Sequence, residues 1–192
     1  MRRHPKIQTE RLVLRKVHRS DLDRVFLGLS NPELTRYYGV HYHSKEATRE
    51  QMRWYRRLER KDFGRVWALS VQAKGHDLQG VIAIYNWNKR NKSAEMGFWI
   101  LPQFQQQGMI AEALKALIPA AFAYMGLHRL YATTEPENLA SIRTLESLGF
   151  TYEGLQREVE KKGTGWISLR MYSLLRSDLD FIPDLPTAVG LL

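Results

Sequence analysis

Cysteine does not occur anywhere in the 192 residues. Its absence removes disulfides, thiolate metal sites and any acyl-cysteine intermediate, and leaves the redox compartment open. No apolar run approaches the roughly 20 residues needed to cross a bilayer. The charged start Met1-Arg2-Arg3-His4 is not followed by the apolar stretch and small-residue cleavage site of a secretory signal. Cytoplasmic residence with no membrane partner is therefore the expectation. A Gly-x-Ser-x-Gly elbow is also missing, which disfavours a serine-nucleophile hydrolase, and Gly108 is not followed by Lys-Ser or Lys-Thr, which disfavours a Walker-type nucleotidase. His41 and His43 stand two apart with no further ligands in a recognisable pattern, so no metal is expected, and they read as cleft lining or ordinary surface. Acidic residues are the minority, 20 against 29 basic ones, giving a formal charge of +9. That balance suits acidic or phosphorylated partners, a cofactor bearing several phosphates among them, and suits equally a basic surface that aids solubility.

With 44% hydrophobic and 26% charged residues, no linker rich in Pro, Gly or Ser, and no internal repeat, the chain reads as a globular protein. We take 1–192 as one domain, its core spanning about 8–175 with a short tail after it. Leu12, Val13, Leu14 and Val17 among Arg11, Arg15 and Lys16 predict a first strand. Ser20 is placed to cap a helix carrying Leu22, Val25, Phe26 and Leu29. Asn31-Pro32 opens another helix, and Ser44 a third through Met52, Tyr55 and Leu58. Val66 to Val71, Val81 to Tyr85 and Ala94 to Leu101 predict a meander of three strands, the first two joined at Lys74-Gly75-His76-Asp77. From Ile110, the residues Ala113, Leu114, Leu117, Ile118, Ala121, Phe122 and Met125 recur at the helical period, with Pro119 an interior proline that should kink or widen the turn. Gly126 ends that helix. A short strand at Leu130-Tyr131-Ala132-Thr133 follows, then a helix capped by Asn138 and stopped by Gly149-Phe150, with Phe150 folding back on Leu145. Tyr152 to Lys161 and Trp166 to Leu174 predict a hairpin turning through Lys162-Gly163-Thr164-Gly165. The order gives an α+β fold around one mixed sheet. The stretch Pro183 to Leu192 carries no functional pattern.

One junction stands out chemically. The strand through Gly97-Phe98-Trp99-Ile100 runs by way of Gln105-Gln106-Gln107-Gly108 into the long helix at Met109-Ile110. Unpaired amides at a helix start point outward, the helix dipole adds positive potential, and a glycine lets a pyrophosphate approach the main chain. On this segment alone, an anion site and a plain helix start with a solvated glutamine loop are both open readings.

Five stretches in order resemble the GNAT superfamily of N-acetyltransferases, in its branch of ribosomal-protein N-terminal acetyltransferases. They are Thr9-Glu10-Arg11-Leu12-Val13-Leu14-Arg15, the strand Ala94 to Trp99, the loop Gln105-x-x-Gly108, Asn138-x-x-Ser141 and Leu148-Gly149-Phe150. The chain departs from the pattern at Ile110, where a second small residue is usual, and at Gln106, often glycine. The resemblance implies a mostly antiparallel mixed sheet, splayed at the cofactor site and flanked by helices. It implies acetyl-CoA as donor, coenzyme A as product, and an amine acceptor such as the N-terminus of a ribosomal protein. Pantetheine would lie along Phe98 and Ile100, pyrophosphate on Gln105, Gln106, Gln107, Gly108, Met109 and Ile110, with Asn138 nearby, and Ile110 turned into the core. A β-bulge near Met96-Gly97 would supply the splay.

Transfer needs a neutral amine near the thioester, a donor for the developing oxyanion and a proton for the departing thiolate. The resemblance assigns the proton donor to Ser141, which otherwise serves only its helix start. It assigns a base acting through water to Glu160, with Glu95 the rival. The demand on the base is mild for an α-amine, whose ordinary pKa of about 7.7–8.0 lies well below the roughly 10.4 of lysine. Tyr37, Tyr38, Trp54, Tyr85 and Trp87 line the acceptor side or fill the core. Polyamines, aminoglycosides and free amino acids are rival acceptors. An acyl-CoA sensor or RNA-binding module is the non-enzymatic alternative, and direct contact with nucleic acid stays open. A monomer or homodimer is expected.

Overall fold

Eight strands form one sheet in the order β1-β2-β3-β4-β5-β6-β8-β7 in the computed structural model, which describes residues 5–72 and 77–181. The strands are β1 (Ile7–Gln8), β2 (Leu12–Lys16), β3 (Arg65–Val71), β4 (Leu78–Asn88), β5 (Ser93–Ile100), β6 (Arg129–Thr134), β7 (Thr151–Lys162) and β8 (Gly165–Leu175). Every neighbouring pair is antiparallel except β5 with β6. Five helices accompany them: α1 (Leu22–Leu29), α2 (Pro32–Thr35), α3 (Lys45–Arg60), α4 (Met109–Met125) and α5 (Leu139–Ser147). The expected α+β architecture with a mixed, mostly antiparallel sheet is the one observed. The joining turn expected at residues 74–77 falls largely outside the described residues, as do Met1 to His4 and the stretch 183–192.

Residues 66–69 of β3 and 81–84 of β4 are buried at every position, without the alternation of a half-solvated sheet. Helices on both faces explain this. α1 and α3 pack on one face, against β4 and β3, while α4 packs against β1 and β2. Along β5 the side chains alternate between these faces. Trp99 turns toward α1 and α3, where its indole Nε1 lies 3.4 Å from Tyr55 Oη. A Cβ at Gly28 of α1 would come within 2.5 Å of the Trp99 ring, so only glycine lets the helix approach this closely. Phe98 and Ile100, one residue to either side, turn the other way.

The caps follow the local chemistry with one exception. Asn31 Oδ1 accepts from Glu33 and Leu34, Ser44 from Ala47, and Asn138 from Ser141, each as expected. Ser20 does not cap; it sits in a short 3₁₀ turn ahead of α1, and Asp21, at the N-cap position, makes no side-chain bond to the first turn of α1. The Asp21 carboxylate accepts the His18 amide at 2.7 Å and a bidentate pair from Arg15 at 2.8 and 2.7 Å, which a hydroxyl could not do. α4 runs unbroken through Pro119. Around Gly149 the amides of Gly149 and Phe150 return to Glu146 and Leu145, bringing Phe150 into the core beside Leu145.

Candidate active site

The sheet opens where β5 and β6 part. Their parallel pairing covers only Ser93–Glu95 against Arg129–Tyr131, so from Met96 onward the β6-facing edge of β5 has no strand partner among the described residues. No bulge lies at Met96-Gly97, contrary to expectation: the β4–β5 register is regular from Ile100 to Glu95 and shifts only between Tyr85 and Asn88, where Asn86 takes φ +52°. The splay comes from β6 diverging: Arg129–Tyr131 pair with β5 on one edge and β8 on the other, whereas Ala132–Thr134 keep only the β8 pairing.

Into this gap points the start of α4. Gly108 has φ +70° and precedes a helix end with no side-chain cap. The first-turn amides of Met109, Ile110 and Ala111 thus lack intrahelical partners and face the cleft as a site for anionic oxygens. A Cβ on Gly108 would meet nothing closer than Arg11 Nη2 at 3.8 Å, so the demand for glycine is conformational rather than steric. Gln106 also has positive φ, +57°, a backbone conformation that glycine adopts most readily. Ile110 packs partly against the core, as expected of a bulky residue there. Gln105 Nε2 donates to the Ile100 carbonyl at 3.3 Å and Gln107 Nε2 to the Gln103 carbonyl at 2.9 Å. Gln107 alone of the loop residues singled out above does not line the cleft.

The loop is anchored by a contact the sequence reading missed. Glu112, in the first turn of α4, accepts from the Arg11 side chain at 2.6 Å, from the Arg11 amide at 3.1 Å and from the Thr9 hydroxyl, and Arg11 Nη2 also reaches the Gln107 carbonyl at 3.2 Å. Partial burial pushes the Glu112 carboxyl up, but the Thr9 and Arg11 hydrogen bonds outweigh it and hold the group below its ordinary range. The acid in the first turn of α4 was the available local signal, and Thr9 and Arg11 lie between β1 and β2.

A cleft of about 1950 Å³ runs from this helix start, across the sheet opening, to α3. That exceeds the roughly 300–1,000 Å³ of a single small-molecule site, leaving room for a donor and an acceptor together. Phe98, Ile100, Gln105, Gln106, Gly108, Met109, Ile110, Asn138 and Ser141 line it, and so do Glu95, Glu160, Tyr37, Tyr38, Trp54 and Tyr85. His41 and His43 do not; both are exposed, with His41 Nδ1 2.9 Å from the Thr35 hydroxyl. Trp87 belongs to a neighbouring hollow with Phe63 and Lys61. Among the described residues no group of three acidic or histidine side chains could hold a metal.

Glu95 projects from β5 into a ring of donors. Tyr85 Oη lies 3.0 Å from its Oε1, Thr133 Oγ1 3.4 Å from the same oxygen, and Asn86 Nδ2 2.9 Å from Oε2. Burial, then the charge of Glu95, pushes the Tyr85 hydroxyl far up, so it stays a neutral donor; Glu160 adds to the same effect. Across the cleft, Trp54 meets Tyr85 edge-on at 5.5 Å. Tyr55 behind them is buried and pushed up to about 12. Glu160 is exposed on β7 opposite Ile167, just past a bulge at Glu158 (φ +48°), and its carboxylate has no hydrogen-bond or ion-pair partner among the described residues. The α5 cap is made by Asn138 Oδ1, 3.2 Å from the Ser141 amide, so the Ser141 hydroxyl is not needed for capping and has no partner among the described residues. The tip of the β7–β8 hairpin crosses to the α2 side, where Lys162 Nζ donates to the Arg36 carbonyl at 2.6 Å and pairs with Glu135.

An open sheet edge beside an uncapped helix start, with carboxylates on the far wall, describes a transferase that takes a phosphate-bearing acyl carrier from one side and an amine from the other. Residues 11–151 match the family described as "Acetyltransferase (GNAT) domain". The chain belongs to the GNAT acetyltransferases, and acetyl-CoA is its acyl donor. It is 32% identical over 174 residues to the "Uncharacterized N-acetyltransferase p20" of Bacillus licheniformis, which covers 90% of this chain and 97% of that one. It is 27% identical over 130 residues to the "Ribosomal-protein-serine acetyltransferase" of Escherichia coli K12, covering 68% and 71%. Solved structures share its fold. An alpha-N-protein acetyltransferase of ribosomal L7/L12, in complex with coenzyme A, superposes with TM-score 0.78 at 23% identity over 88% of this chain and 97% of that one. Spermidine N-acetyltransferase from Vibrio cholerae, in complex with CoA and spermine, gives 0.78 at 22% over 89% and 99%. No helix among the described residues is long and apolar enough to cross a membrane.

Proposed function

We propose that this acetyltransferase modifies the N-terminal α-amine of a polypeptide, ribosomal proteins being the first class to test, by direct attack in a ternary complex. The observation that carries the reading is the cleft itself, which joins the α4 start to an open acceptor wall at α3 in one volume. The likeness to a ribosomal-protein-serine acetyltransferase over two thirds of the chain supports the acceptor class.

The free amides of Met109, Ile110 and Ala111, with Gly108, Gln105 and Gln106, would hold the pyrophosphate, and Gln107 would contribute only through its main chain. The free β5 edge at Phe98 and Ile100 would hold the pantetheine amides, with Asn138 closing that side. Acetyl-CoA supplies a thioester, whose acyl carbon accepts the amine and whose sulfur leaves as thiolate. The backbone amides of the open β5 edge stand ready to donate to oxygen bearing developing charge. Ser141 Oγ, not used for capping, gives a proton at the sulfur and recovers one from the acylated nitrogen as the adduct collapses. Glu160, with no competing partner among the described residues, takes a proton from the ammonium through water. Glu95, already accepting three hydrogen bonds, orients the incoming amine by its charge. Without cysteine, no acyl-cysteine can form, and the kinetics are sequential.

The test is a screen of peptides and small amines with purified protein and acetyl-CoA, read by free thiol release. Turnover with peptides bearing a free α-amine supports the proposal. Turnover confined to spermidine, aminoglycosides or amino acids overturns it.

A further inference from the structure

Four arginines stand on the solvent side of α3: Arg53, Arg56, Arg57 and Arg60. Their spacing of three and four residues gathers them on one helix face. All are exposed, all line the cleft, and none takes part in an ion pair among the described residues. The helix's own carboxylates do not neutralise them. Glu46 is engaged by Arg49 at 2.7 Å and Glu59 by Lys16 at 2.5 Å, which leaves Glu50 beside Arg53. The row starts at the wall of the amine site, because Trp54, between Arg53 and Arg57, is the residue that meets Tyr85, and Tyr85 donates to Glu95.

The cleft therefore carries the carboxylates of Glu95 and Glu160 where an ammonium would arrive, and on α3 four exposed guanidinium groups without an ion pair among the described residues. A polycation would meet repulsion along its length in such a groove. We propose, building on the reading above, that the acceptor is an acidic polypeptide N-terminus, whose α-amine enters toward Glu95 and Glu160 while carboxylates a few residues further on lie along the arginine row. Seven positions separate Arg53 from Arg60, about 10 Å at 1.5 Å per helical residue. That matches about three residues of extended peptide at roughly 3.3 Å each. Guanidinium groups hold carboxylates in forked pairs and are themselves weakly hydrated, so such a rim selects carboxylate-bearing chains.

The experiment uses the full chain with acetyl-CoA and three peptides of equal length beginning with serine, carrying glutamate, glutamine or lysine from the third to the seventh position. At low salt we expect kcat/KM for the glutamate peptide to exceed that for the lysine peptide by at least about tenfold, in the range rim charges impose on association. The difference should lie in KM and shrink as salt is raised. The double variant Arg53→Glu/Arg57→Glu should reverse the order, and Arg53→Gln/Arg57→Gln should flatten it, with a thermal melt confirming that both fold. Equal rates for all three peptides on the unaltered protein would overturn this inference and leave the α-amine reading standing. Acetylation of spermidine with no peptide modified would overturn both. If RNA binds and is released by the arginine variants while the peptide order stays flat, the row serves nucleic acid and the inference fails.

Discussion

Tyr85 Oη donates to Glu95 Oε1 at 3.0 Å across adjacent strands, and with Asn86 and Thr133 it occupies most of the carboxylate's acceptor sites. Glu160, facing the same cleft, has none of these partners. A base that must receive a proton from water needs a free lone pair, so the two glutamates are expected to differ in variants. Glu160→Gln should lower kcat by about 10²-fold or more and alter the acidic limb of the pH–rate profile. Glu95→Gln should leave that limb in place and act chiefly through KM for the amine. The reverse pattern would move the base to Glu95.

Ser141→Ala tests the proton donor. Because Asn138 makes the cap, the substitution should cost little stability, while kcat falls by about 10²-fold with acetyl-CoA affinity nearly intact. Steady-state kinetics beside a thermal melt separate the two roles. A large loss of melting temperature with unchanged kcat would show a structural serine.

Gly108 yields a paired prediction. Gly108→Ala must hold a side chain at φ +70° with no clash, costing about 1–2 kcal/mol of stability. Gly108→Asp carries the same strain and adds a negative charge against the amides of Met109 and Ile110. Calorimetric titration with acetyl-CoA should therefore show the aspartate variant binding much more weakly than the alanine one. Equal affinity in the two would place the phosphates elsewhere.

Glu153 governs the acid side of stability. It accepts both Arg129 guanidinium nitrogens, at 2.6 and 2.5 Å, and the Ser173 hydroxyl at 2.7 Å. The Arg129 bonds, opposed by partial burial and helped by Ser173, lower it to about 2 from an ordinary 4.5. A lowered carboxyl stabilises the fold fully above its unfolded pKa, and that contribution disappears as pH falls through the folded value. Over a third of the Glu153 side chain is exposed, so screening limits the effect to about 1 kcal/mol. Melts of the unaltered protein and Glu153→Gln should differ near pH 6 and converge near pH 2; a gap that persists at low pH would contradict this.

Much of the fold could be read from the chain because its signals are local. Hydrophobic period located α4, Asn31, Ser44 and Asn138 announced their helices by capping chemistry, and Gly149-Phe150 announced a stop. The errors arose where the deciding partner is distant in sequence. Ser20 has the type that favours a cap, but the chain enters α1 through a 3₁₀ turn held by Asp21 on Arg15 and the His18 amide, and α1 starts without a side-chain cap. The opening at β5 is not made by a bulge but by the β5–β6 pairing ending at Glu95 and Tyr131, a feature of two strands distant in sequence that no local pattern encodes. Residues at the candidate site were found by resemblance more than by physics. Their surroundings, including the donors around Glu95, involve contacts distant in sequence, and the Arg11–Glu112 anchor alone spans 101 residues of chain.

The amine proposed to be modified in this cleft is a polypeptide's α-amine. The most direct measurement is mass spectrometry with fragmentation of a serine-initiated peptide that also contains an internal lysine, after reaction with acetyl-CoA and with thiol release followed in parallel. One acetyl group on the N-terminal nitrogen, matched by one thiol released, is the predicted result. Acetylation of the lysine side chain alone, or bound acetyl-CoA that is never consumed with any peptide, would contradict it.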